Sequence, residues 1–298
     1  TCMPGPTHHF GGHSIGNLAS MQSKGAVSNP KAAAMEWLQH LKLINELGGI
    51  QYILPPHRRP SIISDNTTLL DVSSAFMWMA NGAHFIPSKP ACIIPANMCA
   101  TPHRSKEHRF NKYWLRRLFS GTDISVLNVL DSPDEGAAND IYLWNPDTEQ
   151  GLSVFISGAT STNFPIRQSK TAYHQLIQQQ CLSNYFLLTQ HNEAIDSGVF
   201  HNDVISFGYG PYIFCHEQAF QNQPSGLSAL SEHFLSECGI PLQIIQVLAD
   251  QLSLQEAIAT YLFNSQIIVL NDDVTLVCPI QVKNNPKAFN IVSDWKDC

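Results

Sequence analysis

The 298-residue sequence predicts an α/β (α+β) fold of small mixed sheets, on three observations. The order strand–strand–helix–strand keeps returning along the chain. Two of the strand pairs are joined by tight-turn residues, and helices fall between paired strands rather than along one long parallel sheet. The elements follow in order. Ser28-Asn29-Pro30 starts a helix, because proline at the first helical position loses no hydrogen bond. Met35, Leu38, Leu41, Ile44 and Leu47 continue it at helical spacing, and Gly48-Gly49 ends it. Residues 50–54 read as a strand, 109–119 as a helix and 124–130 as a strand. Strand 152–157, helix 171–182 and strand 185–189 follow. Residues 199–207 and 211–216 flank Gly208-Tyr209-Gly210, a hairpin signal. Residues 227–237 read as a helix ending at Gly239, and 241–248 as a strand. Ser253 and Glu256 form a capping box ahead of a helix over 257–263. Residues 266–270 and 274–278 form a second hairpin across Asn271-Asp272-Asp273.

Composition narrows the classes of function. Hydrophobic residues are 44% of the chain, enough for a sizeable core, while charged residues are only 14%. The net charge of −7, with no Lys/Arg block, makes nucleic acid and anionic membranes poor partners, because both need counter-charge. No apolar run approaches the ~18 residues that span a bilayer. The opening TCMPGPTHH shows no secretory signal, and it lacks an initiator Met. Eight cysteines without a C-x-x-C are too sparse for a disulfide scaffold or the usual zinc site; free thiols in a reducing cytosol are expected.

Five stretches carry chemistry. Residues 5–20, GPTHHFGGHSIGNLAS, are too rich in glycine to hold a regular element. They suit a loop that brings backbone N–H groups to a polar ligand, or an ordinary glycine-rich loop. His9 and His13 have a metal pair's spacing, but Gly11-Gly12 between them argues against a helix. DEGAAN, residues 134–139, places a carboxylate near a strand end, either for a cationic ligand or as an exposed turn. In DSGVFHNDVI, residues 196–205, strand alternation puts Val199, His201, Asp203 and Ile205 on one face. A histidine beside a carboxylate there suits proton transfer. Arg167 in FPIRQS, and His103-Arg104 in PHRS, offer cationic donors for carboxylates, or surface charge. No G-x-S-x-G, P-loop or H-E-x-x-H is present.

Together these stretches resemble the N-succinylarginine dihydrolases of the guanidine-modifying (pentein) superfamily. The matching segments are GPTHHFGGHSIGNLAS, AVSNPKAAA, LPPHRRP, MWMANGAH, PHRS, DEGAAN, FPIRQS, DSGVFHNDVI, YIFCHEQAF and TYLFNSQ, in family order from residue 5 to about 280. The resemblance implies a pentein-type α/β propeller of repeated ββαβ modules, with residues 1–298 as a single catalytic domain. It implies conversion of N2-succinylarginine and two waters to N2-succinylornithine, two ammonia and carbon dioxide, in cytoplasmic arginine catabolism. It also implies a homodimer, a small-molecule substrate as the partner, and no metal or organic cofactor.

Residue by residue, the resemblance makes Glu135 and His201 the catalytic carboxylate and histidine. The loop Gly11, Gly12, His13, Ser14, Ile15, Gly16, Asn17, Leu18, Ala19 and Ser20, with Asn81, His103, Arg104, Arg167 and Asp203, matches substrate-binding positions. A guanidinium is planar, cationic and hard to attack. Asp203 and Glu135 would pair with its nitrogens, and a thiolate would add to its carbon. His201 would protonate departing ammonia and then activate water. The loop and arginines would hold the substrate's carboxylates. The family's nucleophile motif, an Asn, a glycine-rich run and Pro-Ala-Cys, is absent from these residues. IVSDWKDC resembles the approach to it, so the chain is expected to stop short of the nucleophile and of the closing module, and to be inactive as it stands. Cys215 in YIFCHE matches a family cysteine that is not the nucleophile. The alternative is a guanidino-compound-binding relative without catalysis.

Overall fold

The computed structural model describes residues 15–22, 29–53, 81–87, 90–100, 104–105, 108–180, 182–270 and 273–295. The chain forms two compact units, 1–137 with 269–273, and 138–268 with 274–298.

In the first unit, α1 (Leu18–Gln22) is a single turn. It begins inside the stretch, residues 5–20, expected to hold no regular element. The glycines end at Gly16, and Leu-Ala-Ser-Met-Gln beyond them are free to coil. Then α2 (Pro30–Glu46) follows expectation: the Asn29 carboxamide oxygen accepts the Ala32 N–H at 3.0 Å, and Pro30 occupies the first turn. Gly48 and Gly49 close the helix by donating to Asn45 and Ile44 carbonyls. The strand expected over 50–54 does not form at 50–53, and Leu54 lies outside the described residues; Ile50 is 87% exposed, so nothing there rewards pairing. Next come β1 (Ala83–Ile86), β2 (Cys92–Pro95), α3 (His108–Leu118) and β3 (Ser125–Val126). The strand expected over 124–130 pairs for only two residues. Ile86, Ile93, Ile94 and Leu115 are buried and form this unit's core with Met98 and Leu130.

The second unit begins with β4 (Asp140–Trp144), β5 (Gly151–Ser157), α4 (Lys170–Gln180), β6 (Tyr185–Thr189) and α5 (Asn192–Asp196). It continues with β7 (Ser206–Tyr209), β8 (Tyr212–His216), α6 (Gln223–Cys238), β9 (Gln243–Val247) and α7 (Leu254–Thr260). The hairpin β10 (Gln266–Leu270) and β11 (Asp273–Val277) precedes α8 (Ile280–Asn284) and α9 (Pro286–Trp295). The hairpin turn between β7 and β8 is Gly210-Pro211, one residue later than expected. Gly239 ends α6 in the left-handed region at φ +74°, where glycine lacks the Cβ that would clash. Tyr173 of α4 stacks on Phe155 of β5, ring centroids 4.7 Å apart, and both are fully buried. Trp295 of α9 packs against Phe207, Phe214 and Phe263.

Three sheets share one plan. In β1–β2–β3, β4–β5–β6 and β7–β8–β9 the first pair is antiparallel and the second parallel. A tight turn suffices for the first pair. The second needs a crossover, supplied by α3, α4 and α6. The fold is therefore mixed α/β with small sheets, and among the described residues the three three-stranded ones are each built as a ββαβ module.

The capping box at α7 is fully formed: Ser253 N–H and Oγ both reach Glu256 Oε2, at 2.9 and 2.7 Å, and Lys287 adds a bond at 3.0 Å. The Ser253 hydroxyl, its backbone N–H and Lys287 pull the Glu256 carboxyl down to about 2. A depressed folded pKa adds stability above the unfolded pKa near 4.5, and that stability is lost as pH falls towards 2. Thermal melts should therefore show Glu256→Gln less stable than the parent at pH 6, with the gap closing between pH 4.5 and 2. A gap independent of pH would contradict the capping assignment.

Candidate active site

In the first two modules the chemistry-bearing residues lie on loops that leave the C-terminal ends of the parallel strand pair. Arg104 follows β2, and Glu135 follows β3. Arg167 follows β5, and His201 and Asp203 follow β6. Parallel strands end on the same side, so their outgoing loops are the natural place to build a binding site.

In the first unit, a buried amide sets the loop that carries Glu135. Asn97 follows the apolar run of β2, and its Nδ2 donates to the Leu130 and Ser132 carbonyls at 3.1 and 2.7 Å. Its Oδ1 accepts the Asp134 N–H at 3.0 Å and the Cys99 thiol at 2.9 Å. Asp134 is fully buried; its Oδ1 lies 2.8 Å from His84 Nε2 and accepts the Gly136 N–H at 3.1 Å. Glu135, 1% exposed, accepts the Ala100 N–H at 2.6 Å. It is a buried, bonded carboxylate, not an exposed turn. Burial, with the negative Glu135 and Asp134 nearby, raises the Cys99 thiol pKa. Cys99 is therefore a poor source of thiolate.

Asn81 and Glu135 meet through the backbone. Asn81 adopts φ +55°, and its carbonyl oxygen would lie 1.6 Å from a Cβ placed on Gly136. Gly136 itself has φ +80°. Only glycine fits beside Glu135. Arg104 is also buried in this unit.

In the second unit, His201 is 5% exposed and adopts extended backbone angles just ahead of a 3-10 turn, Asn202–Val204. The strand expected over 199–207 starts only at Ser206. His201 and Asp203 therefore do not share a strand face, because the turn breaks the alternation before pairing begins. Asn139 Oδ1 receives His201 Nδ1 at 2.9 Å and the Asn202 N–H at 3.2 Å. Asp203 is partly exposed, and its Oδ2 accepts from Asn264 Nδ2 at 3.0 Å.

Arg167, 6% exposed, sits on a loop closed by the Gly158 N–H donating to the Gln168 carbonyl at 2.9 Å. Asp196 pins that loop by accepting from the Ser161 hydroxyl and from the Asn163 and Thr162 N–H groups. These bonds, the Ser161 hydroxyl foremost, hold the Asp196 carboxyl well below the usual carboxylate range.

The remaining expectations divide. Ile15, Gly16 and Asn17 form a turn into α1, which contains Leu18, Ala19 and Ser20; Gly16 has φ +89°. Gly11, Gly12, His13, Ser14 and His103 lie outside the described residues, as does the His9–His13 spacing. Cys215 is fully buried, its thiol pushed up to about 12 by desolvation. Among the described residues, no group of three or more His, Cys, Asp or Glu could hold a metal, and no helix is long and apolar enough to cross a membrane. Sequence reasoning missed Asn97, Asn139 and the His84–Asp134 pair.

Gly136→Ala should lower stability by more than ~1 kcal/mol, since φ is positive and the added methyl meets a carbonyl. Urea unfolding checks this; an unchanged midpoint would show that the loop does not pack as described.

The chain is similar to known proteins over nearly all of its length. A family model for succinylarginine dihydrolase matches residues 2–297. An N-succinylarginine dihydrolase of Aliivibrio salmonicida is 33% identical over 97% of this chain and 74% of its own length. One from Marinobacter nauticus is 34% identical over 92% of this chain and 70% of its length. Among solved structures, the apo form of ArgZ, an arginine dihydrolase from the ornithine–ammonia cycle in cyanobacteria, superposes with a TM-score of 0.57 at 14% identity. The match covers 90% of this chain and 33% of that one, and likeness at that identity speaks to fold alone. The chain belongs to the succinylarginine dihydrolase family.

Proposed function

We propose that the chain carries the binding and proton-transfer residues of an N-succinylarginine dihydrolase, which converts N2-succinylarginine and two waters to N2-succinylornithine, two ammonia and carbon dioxide. The observation that carries this reading is the family match over residues 2–297. A buried carboxylate at Glu135 and a buried imidazole at His201, each bonded on its own loop, give it a chemical basis.

In this reading Glu135 and Asp203 pair with the guanidinium nitrogens, because a planar cation needs anionic acceptors. Arg104, Arg167 and His103, with Asn81 and the loop 11–20, hold the succinyl and α-carboxylates. A thiolate adds to the guanidinium carbon, and His201 gives a proton to the departing ammonia. His201 then takes a proton from the water that attacks the thiouronium, which expels the thiolate and leaves a urea. A second round at the same carbon releases the second ammonia, and the second water frees a carbamate that loses carbon dioxide. The two units are parts of one pentein-type catalytic domain, acting in the cytoplasm as a homodimer. The family names favour this over a non-catalytic relative.

The test joins residues 1–298 to the family's glycine-rich Pro-Ala-Cys motif and supplies N2-succinylarginine. Formation of N2-succinylornithine with two ammonia per turnover is the expected result. Binding without product would favour the non-catalytic relative, and absence of binding would overturn both. In the same protein, His201→Ala should lower kcat by roughly 10²–10⁴-fold with a smaller change in KM. Asp203→Asn should weaken N2-succinylarginine more than an uncharged citrulline-type analogue. Equal weakening of both ligands would remove Asp203 from the guanidinium.

A further inference from the structure

We infer that Asn139 is a positioning residue that fixes the tautomer of His201: its amide makes Nδ1 the protonated nitrogen of the neutral ring and leaves Nε2 to exchange the proton. Its bearing on turnover rests on the proposed role of His201, but the tautomer does not.

The groups around Asn139 have donor and acceptor roles that are not open to choice. Asn139 ends a 3-10 turn, Ala137–Asn139, and is 1% exposed, so each of its amide atoms needs a partner. One end of the amide faces the Ile156 carbonyl at 2.8 Å. A carbonyl can only accept, so that end is Nδ2. The other end faces the backbone N–H of Asn202 at 3.2 Å. A backbone N–H can only donate, so that end is Oδ1. Two backbone groups thus settle an orientation that an isolated carboxamide leaves ambiguous. Gln190 agrees: its Nε2 donates to the Val199 carbonyl at 2.9 Å, which turns Oε1 towards Asn139 Nδ2 at 3.5 Å. The backbone of Asn139 is held as well, with its carbonyl 3.1 Å from the Tyr173 hydroxyl.

The consequence falls on His201. Its Nδ1 lies 2.9 Å from Oδ1, an atom with lone pairs and no proton. An unprotonated Nδ1 would set two lone pairs against each other in a buried place, so Nδ1 must donate. The neutral ring is then held in the Nδ1–H form, although a free histidine side chain prefers the proton on Nε2. A general base must present a lone pair, and a fixed tautomer presents it on Nε2 in every molecule. The edge contact with Phe200, centroids 5.1 Å apart, limits ring rotation further.

The test is the 15N spectrum of histidine-labelled protein of residues 1–298 above the pH where His201 is neutral, with its signals identified by their loss in His201→Gln. We expect a pyrrole-type shift at Nδ1 and a pyridine-type shift at Nε2. The reverse pattern in the parent protein would overturn the inference whether or not any variant folds. In Asn139→Ala the pattern should move towards the Nε2–H form, whereas Asn139→Asp, which keeps an acceptor in place, should retain the parent pattern. An unchanged pattern in folded Asn139→Ala would also overturn it. In protein joined to the thiolate motif, Asn139→Ala should lower kcat roughly 10–100-fold with KM little changed, and Asn139→Asp should recover part of that loss. The tautomer is read without substrate. A correct tautomer without turnover therefore counts against the proposed function and leaves this inference standing.

Discussion

Parallel pairing of the second and third strand within each module is the constraint on which the arrangement rests. Two parallel strands cannot be joined by a turn, so a helix must intervene, and both strands then end on one side of their small sheet. The loops leaving that side are long because they are not needed to close hairpins. Arg104 and Glu135 stand on such loops in the first module, and Arg167, His201 and Asp203 on those in the second. The hairpin side is closed by short connections such as Gly210-Pro211, which leave little room for chemistry.

Long loops must be held, and buried carboxamides take a large share of that work. Asn97 ties residues 130–134 to the end of β2, and Asn139 ties the turn after His201 to β5. Gln223 does the same for residues 216–220, accepting two backbone N–H groups and donating to the His216 carbonyl. An amide both donates and accepts, so it satisfies exposed backbone on either side without a charge to desolvate. Removing any one strands several buried groups, at ~1–3 kcal/mol each.

Local chemistry made much of the fold legible. Pro30 with Asn29, the Ser253–Glu256 box and Gly239 each act within one helical turn, so sequence alone exposes them. Elements without such punctuation were harder to read. In DIYLW of β4, burial alternates, but the strand follows directly on the DEGAAN loop with no turn residue between. Residues 199–205 alternate like a strand and are extended only in part, because the pattern cannot register the turn at Asn202–Val204. The catalytic and binding candidates surfaced through motifs and resemblance. The amides that hold them did not, since Asn97 reaches partners 33 to 37 positions away and Asn139 one 63 away. Nothing in an isolated asparagine reveals such distant backbone.

The proposal at the centre of this account is that loops at the C-terminal ends of the parallel strands, rather than α6, α9 or the hairpin turns, receive the guanidinium of the substrate. Hydrogen–deuterium exchange with and without N2-succinylarginine tests it most directly, because each loop reports separately. The account predicts that peptides covering 131–136 and 198–205 gain protection, while α6 and the β7–β8 turn stay unchanged. Protection confined to α6, α9 or the hairpin turns, with both loops exchanging as before, would contradict it.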